Sequence, residues 1–377
     1  MRHFVLIPDK FKGTMSSSEI CAIMTKAIKK AYPDAETTSI PVADGGEGSV
    51  DAFLEALGGE KVQVKATGPY GKSMDAFYGI LPGNRAIIEM AATAGFALVG
   101  DDKRPDQTTT YGVGELMLDA VKHGCTQIIM GLGGSSTNDA GCGAAAACGV
   151  TFLDKEGKKF VPVGGTLSKI AHVDISTRSP LLDGITITTM CDIDNPFHGK
   201  NGAAYIFGPQ KGADEAMVRT LDAGLDSLAS VVKKDLGIEL QNIPGTGAAG
   251  GMGGGMVAFF GSKLQMGIET ILDAVHFDDL LEKTDIIFTG EGKIDGQSLR
   301  GKVVIGVARK AKAHKVPVIA VVGDIADDTD GAYDEGVTAI FSINRLAIPY
   351  KEAKVRAKKD MEKTMNNLMH LFTRFSL

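Results

Sequence analysis

Five short apolar runs in this chain end on a turn that carries a carboxylate, and in four of the five turns glycine accompanies it. The turns lie at 9–14, 41–48, 131–139, 191–196 and 290–298. An apolar run without alternation is the pattern of a strand buried on both faces of a parallel sheet. That confines the chain to α/β architectures, in which ligands gather outside the carboxyl ends of the strands. Glycine makes up 48 of the 377 residues, nearly twice the ordinary share of roughly 7%. The surplus sits in short clusters between apolar runs, where main chain lacking a Cβ can approach a ligand closely.

Element spacing then divides the chain. His3 to Pro8 predicts a first strand, and Ser16 with Glu19 fits a capping box. Ile20, Ile23, Met24, Ala27, Ile28 and Ala31 follow at helical spacing. A strand over 37–40 and a helix carrying Val50, Phe53, Leu54 and Leu57 complete a β-α-β-α opening. Strands over 285–289, 316–322 and 338–343 repeat that alternation near the C-terminus, before a helix with Met361, Met365, Leu368, Met369 and Phe372 on one face. The middle differs: short segments at 61–66, 74–81, 85–90 and 185–190 mix with helices over 112–123, 139–149 and 214–236. The expected fold is α/β, a doubly wound parallel-sheet domain built from residues 1–65 plus 280–377, with a mixed α/β domain, 66–279, inserted into it.

Composition removes several function classes. A net charge of −6 and a pI near 5.7 disfavour nucleic-acid and anionic-membrane partners, which need a basic surface. Five cysteines without a C-x-x-C pair indicate neither a zinc site nor a disulfide framework. Seven scattered histidines show no ligand spacing and read as surface or satisfied core groups. No secretory signal and no run of 18 apolar residues is visible. A cytoplasmic protein with small-molecule partners is expected, and a homodimer stays open.

The strand-end inventory matches the demands of phosphoryl transfer. Charge spreads over the γ-phosphate oxygens, so catalysis rests on positioning and on neutralisation by Mg²⁺, lysine and aligned backbone N–H groups. Standard nucleotide motifs are near-misses. Gly296 to Lys302 has P-loop spacing, but Val303 stands where a metal-binding hydroxyl is needed. Gly68 to Ser73 has the ending and is two residues short. Gly245 to Gly250 satisfies G-x-G-x-x-G with Glu269 downstream, yet Pro244 interrupts the strand it needs and the run 251–255 argues against the helix. A dinucleotide-dependent oxidoreductase and a non-catalytic sugar-acid sensor are therefore the competing classes.

Six stretches, 9–14, 41–48, 131–141, 191–196, 245–251 and 289–295, resemble in order the motifs of the bacterial type I glycerate kinase family. Lys10 and Thr14 stand where that family often has serine. The resemblance implies ATP- and Mg²⁺-dependent phosphorylation of D-glycerate, at the 2-hydroxyl to give 2-phosphoglycerate, with the 3-hydroxyl as alternative. It also implies a flavodoxin-like domain made of both chain ends and an inserted α/β domain, with the active site in the cleft between them. Physical reasoning supplies the roles. Asp192 or Asp44 accepts the hydroxyl proton, Lys12 and Lys293 neutralise phosphate or carboxylate, and Glu291 and Asp295 hold Mg²⁺. Gly133, Gly134, Ser135 and Ser136 offer donors to phosphate oxygens. Asp9, Lys10, Gly45, Gly46, Glu47, Asn138, Asp139, Asn195, Gly247 and Gly250 complete the set expected to touch substrate or phosphate.

Overall fold

The computed structural model describes residues 2–43, 45–296 and 298–375. The chain divides into two compact units, Met1–Ala43 with Met266–Leu377, and Asp44–Gln265.

In the first unit the strand His3–Pro8 is buried along its whole length, as its unbroken apolar run predicts. It pairs in parallel with Glu36–Ser39 on one side and Ile286–Gly290 on the other, and Val318–Val322 and Val337–Ser342 extend the sheet. Numbered within this unit the strand order is 2-1-3-4-5, the flavodoxin-like arrangement. Phe4, Leu6, Phe288 and Val321 pack with Ile20, Met24 and Ile28 of the helix Ser17–Ala31 and with Met361, Met365 and Met369 of the helix Tyr350–Phe375. The helix Val303–His314 buries Val304, Ile305, Val307 and Ala308 and packs on the strands Ile286–Gly290 and Val318–Val322. The predicted capping box is present: Glu19 N donates to Ser16 Oγ over 3.1 Å, and Ser16 N to Glu19 Oε2 over 2.9 Å.

The second unit holds a six-stranded mixed sheet. Lys263–Gln265, Thr186–Met190, Gln127–Gly131 and Arg85–Glu89 run parallel, and the hairpin of Ser73–Leu81 and Glu60–Thr67 closes the edge antiparallel. The helices Tyr111–Lys122, Glu215–Leu236 and Ala248–Phe260 bury their apolar faces in its core, and a three-stranded antiparallel sheet of residues 151–174 stands beside them.

The units break at 43/44 and 265/266, not at the expected 65 and 280. The helix Ser49–Leu57 packs on Ser73–Leu81 and Arg85–Glu89, and Val50 N donates to the buried Glu89 carboxylate over 2.6 Å. The segment that follows it forms a sequence-adjacent hairpin, which draws it into the second sheet. At the other boundary Ile268 of the helix Gly267–Ala274 lies against Gly306, so close that a Cβ there would be 2.7 Å from it.

Two local expectations fail for packing reasons. The helix expected over 139–149 is only Cys142–Ala147, because Ala140 and Gly141 adopt left-handed backbone with φ of 54° and 72°. The glycine run 251–255 does not prevent a helix. Ala249, Gly250 and Gly251 are left-handed, and beyond them the helix continues to Phe260 with every glycine of the run buried. A Cβ on Gly255 would stand 2.0 Å from Ala140 O, so close packing selects glycine against its poor propensity.

Candidate functional site

In the second unit the glycine-bearing turns, far apart in sequence, lie against one another. Gly133 N donates to Gly45 O over 2.9 Å. A Cβ on Gly131 would lie 2.4 Å from Gly45 O, and one on Gly133 would lie 2.5 Å from Gly46 Cα. On the other side a Cβ on Gly250, whose φ is 69°, would meet Thr137 O at 2.1 Å, and Ala140 N donates to Gly250 O. Gly247 N donates to Asn195 O over 3.1 Å, which ties in the turn carrying Asp192. The glycines thus bring backbone to backbone at contact distance.

The 133–139 turn is braced along its length. Phe96 N donates to Gly134 O over 2.9 Å, and both the Ser136 amide and its hydroxyl donate to Ala94 O. Asp139 is fully buried and accepts from Thr110 N at 2.7 Å, Thr110 Oγ1 at 2.8 Å, Gly141 N at 3.1 Å and Gly143 N at 3.3 Å. Its carboxyl pKa is raised, because burial outweighs these four donors. Asp139 therefore clamps the turn and does not face outward. Asn138 is also fully buried, and its amide oxygen and nitrogen have no hydrogen-bond partner among the described residues. A groove of about 570 Å³ adjoins the turn, lined by Glu47, Phe96, Ala97, Gly100, Lys103 and Gln210.

Sequence reasoning missed two charged groups here. Lys211 is 3% exposed, and its Nζ donates to Ser135 Oγ at 3.1 Å and Thr137 O at 2.6 Å. No spacing pattern marks it. Glu89 closes the strand Arg85–Glu89 and caps the helix Ser49–Leu57 from within the core. The carboxylate-after-strand rule that found the other turns applies to it equally.

In the first unit the parallel register Pro8↔Gly290 sets Asp9 beside Glu291 at the carboxyl ends of adjacent strands. These are strands 1 and 3 of the 2-1-3-4-5 order, the point where connections depart in opposite directions. Glu291 is 6% exposed and its Oε1 has no hydrogen-bond partner among the described residues. Burial pushes its pKa up to about 7, with Asp9 and Asp295 adding repulsion, against a Ser298 hydroxyl and Lys302. Ser298 Oγ also accepts from Asp295 N over 3.2 Å. Ser298 and Lys302 belong to the stretch set aside as a failed P-loop. Lys10 is half-buried, and its amide donates to Asp9 Oδ1 over 2.7 Å. Lys12 is exposed in the turn between Phe11 and Met15, and Lys293 is exposed on a short strand paired with Asp324.

Gly45, Gly46, Gly133, Gly134, Ser135, Ser136, Asn138, Asn195, Gly247 and Gly250 thus gather in the second unit, and Asp9, Lys10, Glu291 and Asp295 in the first. Asp192 is exposed, and Asn195 Nδ2 donates to Asn201 O over 2.9 Å. Asp44 lies outside the described residues. Among the described residues no group of three or more His, Cys, Asp or Glu is placed to hold a metal by itself, and no helix is long and apolar enough to cross a membrane. The 245–250 turn follows a single helical turn, Leu240–Asn242, and not the strand that a dinucleotide site requires.

A family model described as "Glycerate kinase family" matches residues 4–373. The chain is 41% identical over 371 residues to a glycerate kinase of Halalkalibacterium halodurans, covering 98% of this chain and 97% of that one. It is 44% identical over 341 residues to the glycerate 2-kinase of Escherichia coli K12, covering 90% of each. It also resembles the crystal structure of a candidate glycerate kinase 2 from Salmonella typhimurium LT2. That match has a TM-score of 0.87 at 37% identity and covers 100% and 99% of the two chains.

Proposed function

This chain belongs to the glycerate kinase family, and on that premise we propose that it transfers the γ-phosphoryl group of ATP to the 2-hydroxyl of D-glycerate. The single observation in the molecule that carries the reading is the Glu291 carboxylate, buried at the strand switch point beside Asp9 with one oxygen unpartnered among the described residues. A buried oxygen without a donor is costly, and a hard divalent cation satisfies it. The donor set suits Mg²⁺, which takes one or two carboxylates and completes its shell with phosphate oxygens and water. Glu291 and Asp295 would hold it, and when bound it would offset charge on the transferring phosphate.

The remaining roles fall to this chain's own groups. Asp192, or Asp44, accepts the proton of the 2-hydroxyl as that oxygen bonds to the γ-phosphorus and the bond to the β-phosphate oxygen breaks, releasing ADP. The Gly134 and Ser135 N–H groups donate to phosphate oxygens, whereas the expected donors Gly133 N and the Ser136 amide and hydroxyl are already spent on Gly45 O and Ala94 O. Lys12 and Lys293, both exposed, meet the anionic ends of the substrates. The groove beside Gly134 takes the nucleoside, with Phe96 offering a ring face and Glu47 a carboxylate for ribose hydroxyls. The acidic net charge of −6 supports small-molecule partners over nucleic acid.

Incubation with ATP, Mg²⁺ and D-glycerate should release ADP, with a proton-coupled phosphorus doublet from a phosphate on a CH carbon. A triplet would place the phosphate on the CH₂ carbon and move the reaction to the 3-hydroxyl. No glycerate-dependent ADP would remove the reading altogether.

A further inference from the structure

We propose that Lys211 is a positioning residue for the nucleotide phosphates, fixing the 133–137 turn from behind through Ser135 and the Thr137 carbonyl. This rests on the phosphoryl-transfer reading above. Lysine is almost never fully buried unless paired, yet Lys211 is 3% exposed and the partners of its Nζ, Ser135 Oγ and Thr137 O, are both neutral. Burial lowers its pKa to about 7, and the charge of Asp139 only partly opposes this. A neutral donor would cross-link the same two oxygens without that desolvation cost. What a cation adds is a charge under the loop, in a low-dielectric setting where it strengthens the attraction of an anion on the other side.

The loop is built so that this link matters. Its outer edge is held by Phe96 and Ala94, and its far end by the Asp139 clamp. Ser135 lies between these supports, and Lys211 donates to it from within the core. The lysine is carried on the single turn Pro209–Lys211, followed by Gly212 at φ 93° packed on Lys103. Gln210 of the same turn lines the groove beside the loop. One short segment therefore touches both the groove and the back of the loop.

The test compares wild type with Lys211→Met, Lys211→Arg, Ser135→Ala and the Met/Ala double variant. Lys211→Met should fold, with a melting temperature within a few degrees of wild type. Its kcat/KM for ATP should fall at least about tenfold, with KM for D-glycerate within about twofold. Lys211→Arg should restore part of the loss. Ser135→Ala and Lys211→Met should be non-additive, because both break the same link. Wild-type kcat/KM for ATP in Lys211→Met, equal losses toward both substrates, or additive effects would each overturn the proposal. If Lys211→Met fails to fold, Ser135→Ala decides, since an unchanged KM for ATP there removes the link. Calorimetric titration with ADP separates this inference from its premise. A wild type that binds ADP without phosphorylating glycerate, beside a Lys211→Met that does not bind, would sink the kinase reading and keep the positioning role. A wild type that neither binds ADP nor turns over would sink both.

Discussion

Lys211 also makes a prediction about stability that is independent of turnover. An anion bound across the loop would favour protonated Lys211. The ligand-free folded chain gives up that proton near pH 7, where burial has lowered the lysine's pKa, while the unfolded chain holds it to about 10.5. Between those values the unfolded state binds more protons, so this group's contribution to stability rises with pH across that window. Lys211→Met has no such group. Urea midpoints at pH 7 and pH 9.5 should therefore show wild type gaining on the variant by on the order of 1–3 kcal/mol as pH rises. A gap that stays constant would mean that Lys211 is hydrated and not desolvated.

At the scale of elements, the sequence-readable features are those governed by local chemistry. Ser16 and Glu19 announce a helix start because each satisfies a backbone N–H of the other. Ser16→Ala should cost about 1 kcal/mol in chemical denaturation, with turnover unchanged. The continuous apolar runs give the parallel strands, and the turns after them give most of the candidate site. What sequence could not carry is long-range packing. The glycines of 251–255 look helix-breaking until Ala140 O is seen against Gly255, and Lys211 stands alone in sequence because its partners lie 74 and 76 residues away. The unit boundary at 43/44 follows from Glu89 reaching back to Val50, a contact no composition change marks. Two glycines separate strain from packing. Gly124 has φ 88° and open space around its Cβ position, whereas at Gly133 the Cβ would press on Gly46 main chain. Gly124→Ala should lose about 1 kcal/mol and keep full turnover. Gly133→Ala should force the two turns apart, losing about 1–3 kcal/mol and most activity. Melting curves beside ATP kinetics distinguish them, and equal activity in both variants would show that turn-to-turn contact is irrelevant to catalysis.

At the scale of the whole molecule, any ligand that binds only the folded chain raises its stability by RT ln(1 + [L]/Kd), about 2.7 kcal/mol at a hundredfold excess over Kd. That relation lets the metal proposal be tested without an activity assay. The proposed ADP contacts at Gly134 and Ser135 need no cation, so ADP alone should raise the melting temperature in wild type. Mg²⁺ added with ADP should raise it further, because a cation held by Glu291 would satisfy that carboxylate's buried oxygen. Glu291→Gln should keep the first increment and lose most of the second, since a neutral amide is a poor ligand for a hard cation. Chelation by EDTA should return wild type to the ADP-only value and abolish ADP release from ATP. The variant also loses its repulsion from Asp9 and Asp295, so its ligand-free melting temperature should not fall. If Glu291→Gln instead retains the full Mg²⁺ increment with ADP, the cation is held elsewhere, and the switch-point carboxylates serve the substrate and not the metal.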